Sequence, residues 1–504
     1  MSGKLKPLAS AGAAALLLAG CAVTPQKLTD AEVTSFSERN LRELAAGQEP
    51  LSGPVSLYEA MARALKYNLD YRVAQMKQAL AIGDAKLKSW EALPKLVANG
   101  HWGDRNNDPG GWSRSLTTGI RSADASRSSE RQTLAGDLTF TWNILDFGLS
   151  WVRARQAADE ALIAMEQKRR AINRVIEEVR TTFWRAASAQ RLVGRLNRLA
   201  GRVDRALRNA RRLARGGETT PMEALTFERE LVAIRKQAVE LTRDLHGARI
   251  QLAALMNLAP GTRYKLAIPR RRAAVLKLPR DPRQLMAMAL RNRPELRVAA
   301  YRERINQKEA TAALLEMLPG INLYAGLNGD LNPLLFNASW ISWGARLSWN
   351  LLRVFRYPAR KATIDARDRL LKAQSLAMTM AVLTQVHVAR LRYHYQRQVL
   401  ASASRYHDVQ RRILRQVRAA AAADIASEQS LIREEMNTIV AAAKHDVAYA
   451  DLQNAAAQLY ASVGLDPYGA GAALDMRVKE LAASLRRAQN GDRLMKMAQS
   501  RKGG

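Results

Sequence analysis

Between residues 137 and 143 apolar and polar side chains alternate without a break. Leu138, Phe140 and Trp142 fall on one side; Asp137, Thr139, Thr141 and Asn143 fall on the other. The same period returns where Ile321, Leu323, Ala325 and Leu327 oppose Asn322, Tyr324, Gly326 and Asn328, and again in Ile341, Trp343, Ala345, Leu347 and Trp349. Successive side chains of an extended chain point to opposite faces, so these runs predict strands with one apolar face. Strands of roughly ten residues, apolar outside and polar inside, are the signature of a transmembrane barrel. A half-buried sheet over a soluble core has the same period. Tryptophan favours the barrel: eight of the nine lie within 90–151 or 340–349, in or beside the strands, and only Trp184 stands apart. Aromatic rings gather at membrane interfaces because one end is apolar and the other wet. Four strands do not close a barrel, so the chain must oligomerise to cover its sheet edges.

The intervening segments carry a helical period. Residues 150–215 hold no proline and two glycines, which predicts a helix about 100 Å long at ~1.5 Å per residue. Ile172, Val179, Ala186, Val193, Ala200, Leu207 and Ala214 recur every seven residues, and Leu196, Val203 and Ala210 form a second track. Such tracks predict coiled-coil-like packing. The run Arg215-Gly216-Gly217-Glu218-Thr219-Thr220-Pro221 then stops one helix and starts another, with Thr220 at the N-cap and Pro221 at the first helical position. That second helix ends near Leu258-Ala259-Pro260-Gly261. Further on, helices are predicted over about 359–421 and 427–463, with a turn near Asp424 and a stop at Val463-Gly464-Leu465-Asp466-Pro467. One helix precedes each strand pair, at about 56–92 and 281–317, and a proline ends each.

This order is a duplication. Shifting residues 60–94 by 225 positions matches Met61, Ala62, Ala64, Leu65, Arg72, Val73, Ala74, Ala85, Glu91, Leu93 and Pro94 to identical residues, 11 of 35 without a gap. Chance gives about two or three, so the repeat is real. Trp142-Asn143-Ile144-Leu145 returns as Trp349-Asn350-Leu351-Leu352, now at a shift of 207. The first copy carries the longer loop, near 103–133, rich in Gly, Ser, Asn and Asp.

Composition adds the envelope. Lys4 and Lys6, an apolar stretch from Leu8 to Ala19 and then Leu18-Ala19-Gly20-Cys21 read as a signal peptide ending in a lipobox, with Cys21 lipidated. Cys21 is the only cysteine, so disulfides and thiolate metal sites are excluded. No apolar run reaches the ~18 residues a spanning helix needs, so any membrane crossing is by β-barrel. The net charge of +33 becomes +31 without Lys4 and Lys6 (33 − 2). On an exported chain this points to anionic envelope components or cargo and not to nucleic acid. The charge concentrates in Arg191, Arg198, Arg205 and Arg212, spaced by seven, joined by Arg195, Arg202 and Arg208. The stripe is either a solvated outer face or a lumen or partner surface that attracts anions. No phosphate-binding loop, His-Glu-x-x-His or Gly-x-Ser-x-Gly motif is present, and the six histidines are scattered. No enzyme, cofactor or metal is indicated. A lipid-anchored basic coiled-coil scaffold for envelope polyanions is the alternative; it explains the charge and heptads but not the strands.

Over about residues 55–467 this organisation resembles the TolC-like outer membrane factors. Trp142, Asp146 and Gly148 match the W-x-x-x-D-x-G passage where a strand of that family enters its long helix. Leu252-x-x-Leu255-x-x-Leu258 and Leu459-x-x-x-Val463-Gly464 resemble the ends of its helical hairpins. The resemblance implies a mainly α protein with a membrane β-barrel: four strands per protomer, a homotrimeric 12-stranded barrel (2 × 2 × 3) and a long periplasmic α-helical barrel. It implies an outer-membrane export duct for efflux or type I secretion, working with a periplasmic adaptor and an RND or ABC pump of the inner membrane. The expected division is 1–20 signal peptide, 21–54 lipid-anchored extended segment, 55–262 first repeat, 263–280 linker, 281–467 second repeat and 468–504 basic, partly disordered tail. The second tip closes the entrance in that family, which points to Asp424 with Arg418 as partner. The first tip, Gly217, Glu218, Thr219, Thr220 and Pro221, is the expected adaptor contact. The second repeat departs from the pattern: Leu352-Arg353-Val354-Phe355 follows its Trp-Asn, and its tip lacks glycines.

Overall fold

The computed structural model describes residues 26–44, 46–127, 129–216, 220–259, 261–269, 278–465 and 476–490. In chain order the elements are α1 (Asp30–Leu44), α2 (Leu57–Tyr67), α3 (Leu69–Trp90), β1 (Lys95–Asp104), β2 (Gly110–Gly111), β3 (Ser126–Arg127), β4 (Gln132–Asn143), α4 (Ile144–Arg215) and α5 (Pro221–Leu255). Then come α6 (Pro282–Asn292), α7 (Pro294–Leu315), β5 (Gly320–Asp330), β6 (Ser339–Ser348), α8 (Leu352–Ala422), α9 (Glu428–Ser462) and α10 (Val478–Asn490).

The four long strands form one antiparallel sheet in the order β1-β4-β5-β6, leaving β1 and β6 as open edges. The loop between β1 and β4 carries the small β2–β3 ladder. Where β4 ends, Asn143 turns the chain into α4, its side chain accepting from the Asp146 amide at 2.9 Å. Asn is a preferred N-cap because its oxygen takes one of the first free helical N–H groups, and Asp146 then sits favourably in the first turn.

The helices form a layer four wide. Toward the tips, α4 packs between α5 and α9, and α9 packs on α8. Toward the sheet, α3 lies on α4, and α7 lies between α4 and α8. The long helices α4 and α8 run the whole way, while two shorter helices meet end to end beside them. At one joint Asn68, heading α3, reaches the Leu255 carbonyl at the end of α5. At the other, Arg293, heading α7, donates to the Ala461 carbonyl at the end of α9 at 3.0 Å. Arg169 of α4 clamps that joint through the Gly464 carbonyl at 2.7 Å. Gly464 has φ +73, and a Cβ there would stand 2.5 Å from the Asn292 carbonyl carbon.

Four features differ from the sequence expectations. The single helices expected over 56–92 and 281–317 are each broken in two, at Asn68 and Arg293. Both have extended ψ of 127°; Asn68 caps α3 through the Tyr71 amide, and Arg293 precedes Pro294. A proline disfavours the helical conformation in the residue before it. The long helices begin earlier, at Ile144 and Leu352, so α8 carries Pro358 inside its first turns. Pro358 is the seventh residue of α8, so the Val354 carbonyl loses its i+4 amide donor there. The stretch read as extended, 21–54, contains α1, started by a reciprocal cap: the Thr29 amide donates to Glu32 at 2.7 Å, and the Glu32 amide to Thr29 Oγ1 at 3.3 Å. Finally, the tail after 468 contains α10, whose Val478, Leu481 and Leu485 are buried in the core around α2 and α4.

The heptad tracks meet the expected fate, with one drift. Leu196, Val203 and Ala210 are buried along with Ala189, as are Ile172, Val179 and Ala186. Val193 and Ala200 of the first track are half-buried, and Ala214 is exposed. A straight α-helix rotates ~20° per heptad against a strict seven-residue repeat, so one track cannot stay on the seam for six heptads. Trp184, the outlying tryptophan, is a core residue packed edge-on against Tyr449 at 4.7 Å.

Candidate functional site

The sheet register gathers the predicted apolar positions on one face. Leu138 pairs with Leu327 and Phe140 with Ala325, while on β6 Trp343 stands opposite Ala325 and Ile341 opposite Leu327. Leu96 and Ala98 of β1 extend this face beside Phe140 and Leu138. Nothing covers it: Ile341 is 71% exposed, Trp343 82% and Leu347 67%. A soluble half-buried sheet would bury these side chains. The opposite face is polar and cross-linked. Asp137 accepts from Asn99 at 3.0 Å and from Thr139 at 2.6 Å, and Asn328 donates to Ser342 at 2.9 Å. Gly326 and Gly344 leave room on that face for Thr139 and the Tyr324 ring, where a Cβ would clash. Trp349 donates its indole N–H to the Met317 carbonyl at 2.9 Å, at the junction of strand and helix.

Below the sheet, α4 and α7 are joined by ion pairs that sequence reading missed. Arg153 and Arg360 converge on Glu309 and Glu316; Arg304 and Lys308 hold the buried Asp159; Arg297 and Arg169 hold the buried Glu166. Burial alone would raise the Glu309 carboxyl, but hydrogen bonds from Arg153, Gln156 and Arg360 bring it down to about 2. Asp159 is likewise lowered by Arg304 and Lys308 against its burial. Their signal is the antiparallel match of 153, 159 and 166 with 309, 304 and 297, which shows only once the helices are known to pack.

The arginine stripe divides into separate roles. Arg191 is half-buried against Asp446 at 2.5 Å, and burial lowers its pKa. Arg202 pairs with Glu435 of α9. Arg195, Arg198 and Arg205 are exposed and line a groove of about 1060 Å³ with Arg202, facing Arg411, Arg415 and Arg418 of α8. Arg212 lies beyond the groove, exposed, within 3.5 Å of Asn209. Glu435 was missed although it organises this end: it pairs with both Arg202 and Arg418 and so ties α4 to α8 through α9. Arg411, Arg415 and Arg418, spaced four and three, were a readable one-face signal.

At the tips, Thr220 caps α5 as expected, with Glu223 returning the bond and Pro221 in the first turn. Met222 and Leu225 stand exposed beside it. Gly217, Glu218 and Thr219 lie outside the described residues, as does Cys21. At the second tip the expected pairing is corrected: Arg418 reaches Glu435 at 3.0 Å and not Asp424. Asp424 lies in the turn expected there. It has φ +54 and ends α8, with the Ile425 amide bonded to the Ala420 carbonyl at 2.8 Å; Ser427 caps α9. Aspartate is one of the few residues that take a left-handed conformation.

Among the described residues no helix is long and apolar enough to cross a membrane, and no group of three or more His, Cys, Asp or Glu is arranged to hold a metal. The family model "Outer membrane efflux protein" matches residues 60–258. No curated protein matches the sequence. Among solved structures, the CmeC outer membrane channel of Campylobacter jejuni has 13% identity and a TM-score of 0.63, covering 92% of this chain and 93% of its own. The outer-membrane channel OprN has 18% identity and a TM-score of 0.62, with 81% and 90% covered. The MtrE channel of Neisseria gonorrhoeae, solved in its open state, has 16% identity and a TM-score of 0.59, with 83% and 94% covered. At these identities the likeness is one of fold, and it agrees with the family match in the first repeat. The first repeat thus matches the outer membrane efflux protein family, and the chain as a whole has the fold of these outer-membrane channels.

Proposed function

We propose that three copies of this chain form a passive export duct through the outer membrane of a Gram-negative cell, with the helices reaching into the periplasm. The single observation that carries this reading is the four-stranded sheet: its apolar face is uncovered and both its edges are unpaired. Unpaired backbone groups are tolerated in hydrocarbon only when a barrel closes. Pairing β6 of one copy with β1 of the next, three times over, closes twelve strands.

The helical layer supports the same closure. Its edge helices carry exposed apolar tracks at heptad spacing: Val73, Leu80 and Leu87 on α3; Leu225, Val232 and Val239 on α5; Val399, Tyr406 and Ile413 on α8. Such seams are what a neighbouring helix covers in a coiled coil. Lipidation at Cys21 would anchor the chain beside its own barrel. The exposed Met222, Leu225 and Ile425 at the two tips suit contact with a periplasmic adaptor, through which an inner-membrane pump supplies the energy. The duct itself does no chemistry.

The test is planar-bilayer recording on the purified protein, with chemical cross-linking to count subunits. Discrete conductance steps from a preparation that cross-links to trimers are the expected result. A cross-linked monomer, or an absence of steps from trimers of both Asp424→Asn and Asp424→Ala, would overturn it.

A further inference from the structure

The groove between α4 and α8 has an unbalanced charge. Seven guanidinium groups line it, from Arg195, Arg198, Arg202, Arg205, Arg411, Arg415 and Arg418, against the one carboxylate of Glu435. That carboxylate is taken up by Arg202 and Arg418. Arg411 has Asp408 on its own helix at 3.1 Å. Among the described residues, Arg195, Arg198, Arg205 and Arg415 have no carboxylate partner. The crowding is felt at Arg202: burial lowers its pKa, Glu428 opposes this, and Arg418 and Arg205 push it down further. An arginine cannot relieve such a field by losing its proton. Groups within the ~8 Å screening length at physiological salt repel one another unless an anion sits between them.

We propose that this groove is a binding site for a soluble, multivalent oxyanion of the polyphosphate class. Guanidinium forks match phosphate oxygens two at a time, which selects oxyanions over simple halides. Arginines stand on both walls, so an occupant must carry several charges to engage both at once. About 1060 Å³ exceeds what a single phosphate fills and is of the order of a pocket for a drug-sized ligand. Position decides the source. Arg195 lies 51 residues along α4 from Ile144 (195 − 144), about 77 Å at 1.5 Å per residue. A lipid headgroup in the bilayer around the sheet does not reach it, so the occupant is free in solution. Glu435 keeps the walls in register from the floor of the groove by holding Arg202 and Arg418.

The experiment is isothermal titration of the detergent-solubilised full-length protein with inorganic tripolyphosphate at 150 mM salt. The readout is binding, so the outcome is independent of whether the protein conducts. The expected result is one saturable site per protomer. Arg195→Gln, Arg198→Gln and Arg415→Gln together should weaken it at least about tenfold, since each removes a charge-assisted hydrogen bond. A charge-matched control, Lys361→Gln with Arg367→Gln and Arg369→Gln near the sheet end of α8, should leave it within about twofold. If the triple variant does not fold, Arg415→Gln alone, an exposed change, serves in its place and should weaken binding by a smaller factor. Equal weakening by groove and control variants, or no saturable site in the unaltered protein, overturns the proposal.

Discussion

Replacing Ala325 with arginine separates a membrane barrel from a soluble sheet. Ala325 sits at the middle of β5, between Phe140 of β4 and Trp343 of β6, on the uncovered apolar face. It is exposed in the protomer. On a water-facing sheet, Ala325→Arg would change stability by about 0.5 kcal/mol or less, as for most surface substitutions. On the lipid face of a barrel, near the bilayer midplane, arginine costs about 2–4 kcal/mol, a loss of roughly 30- to 700-fold in the folded-to-unfolded ratio per protomer. Thr139→Arg is the internal control. Thr139 neighbours Phe140 at nearly the same depth but points to the polar face beside Asp137. There the new charge meets a carboxylate, and the cost should stay below about 1 kcal/mol. The assay is urea unfolding from phospholipid vesicles, followed by the fluorescence of the tryptophans clustered around the strands. Equal stability of Ala325→Arg and the unaltered protein would refute the assignment of this face to lipid. So would a larger loss in Thr139→Arg than in Ala325→Arg.

Three further predictions probe the helical part. Glu309, held at about 2 by its arginines despite burial, contributes stability that is present above the ordinary carboxylate value and is lost as the pH falls toward 2; Glu309→Gln should flatten that acid limb in thermal melts between pH 5 and 2. Gly464→Ala must adopt φ +73 and collide with the Asn292 backbone, so it should cost more than about 2 kcal/mol by chemical denaturation; Gly261→Ala, at φ +84 in open space, should cost only the left-handed strain of about 1–2 kcal/mol. Leu481→Ala opens a cavity where α10 meets the core and should cost about 2–5 kcal/mol; a change below about 0.5 kcal/mol would mean that the segment after 475 does not dock.

What the sequence disclosed and what it withheld follow from the range of the forces involved. Strand alternation, the Thr220-Pro221 start and the long proline-free helices are local, and each is visible in a window of a few residues. The helix break at Asn68 is hidden because apolar spacing runs through it. It was nevertheless readable from the duplication: the shift of 225 sets Asn68 on Arg293, the residue before Pro294. The docking of α10 on α2 joins Val478, Leu481 and Leu485 to residues some four hundred positions away, and no local pattern announces it. The same holds for Glu435, one of several acids in α9 until α4 and α8 are placed on either side. The arginine stripe was legible as a stripe. Its division into a structural residue at Arg191, a bridge at Arg202 and free groove residues at Arg195, Arg198 and Arg205 depends on where the acids of α9 fall.

The second tip shows why a residue's backbone must be read before its charge. Asp424 is exposed at the end of α8 and has no partner in Arg418, which is committed to Glu435. Its carboxylate is therefore placed by the left-handed turn that it occupies. Alanine in that turn removes the charge and also adds about 1–2 kcal/mol of backbone strain, so a loosened entrance in Asp424→Ala has two causes that conductance cannot separate. Asparagine tolerates the same turn and removes the charge alone; glycine keeps the turn and removes the side chain. If the carboxylate gates the entrance, Asp424→Asn and Asp424→Gly raise conductance alike, because both keep the turn and both lose the charge. If the turn itself is what matters, only Asp424→Ala changes it, and the entrance is governed by the Ala419–Ala423 backbone and the exposed Ile425 instead of by an acidic group.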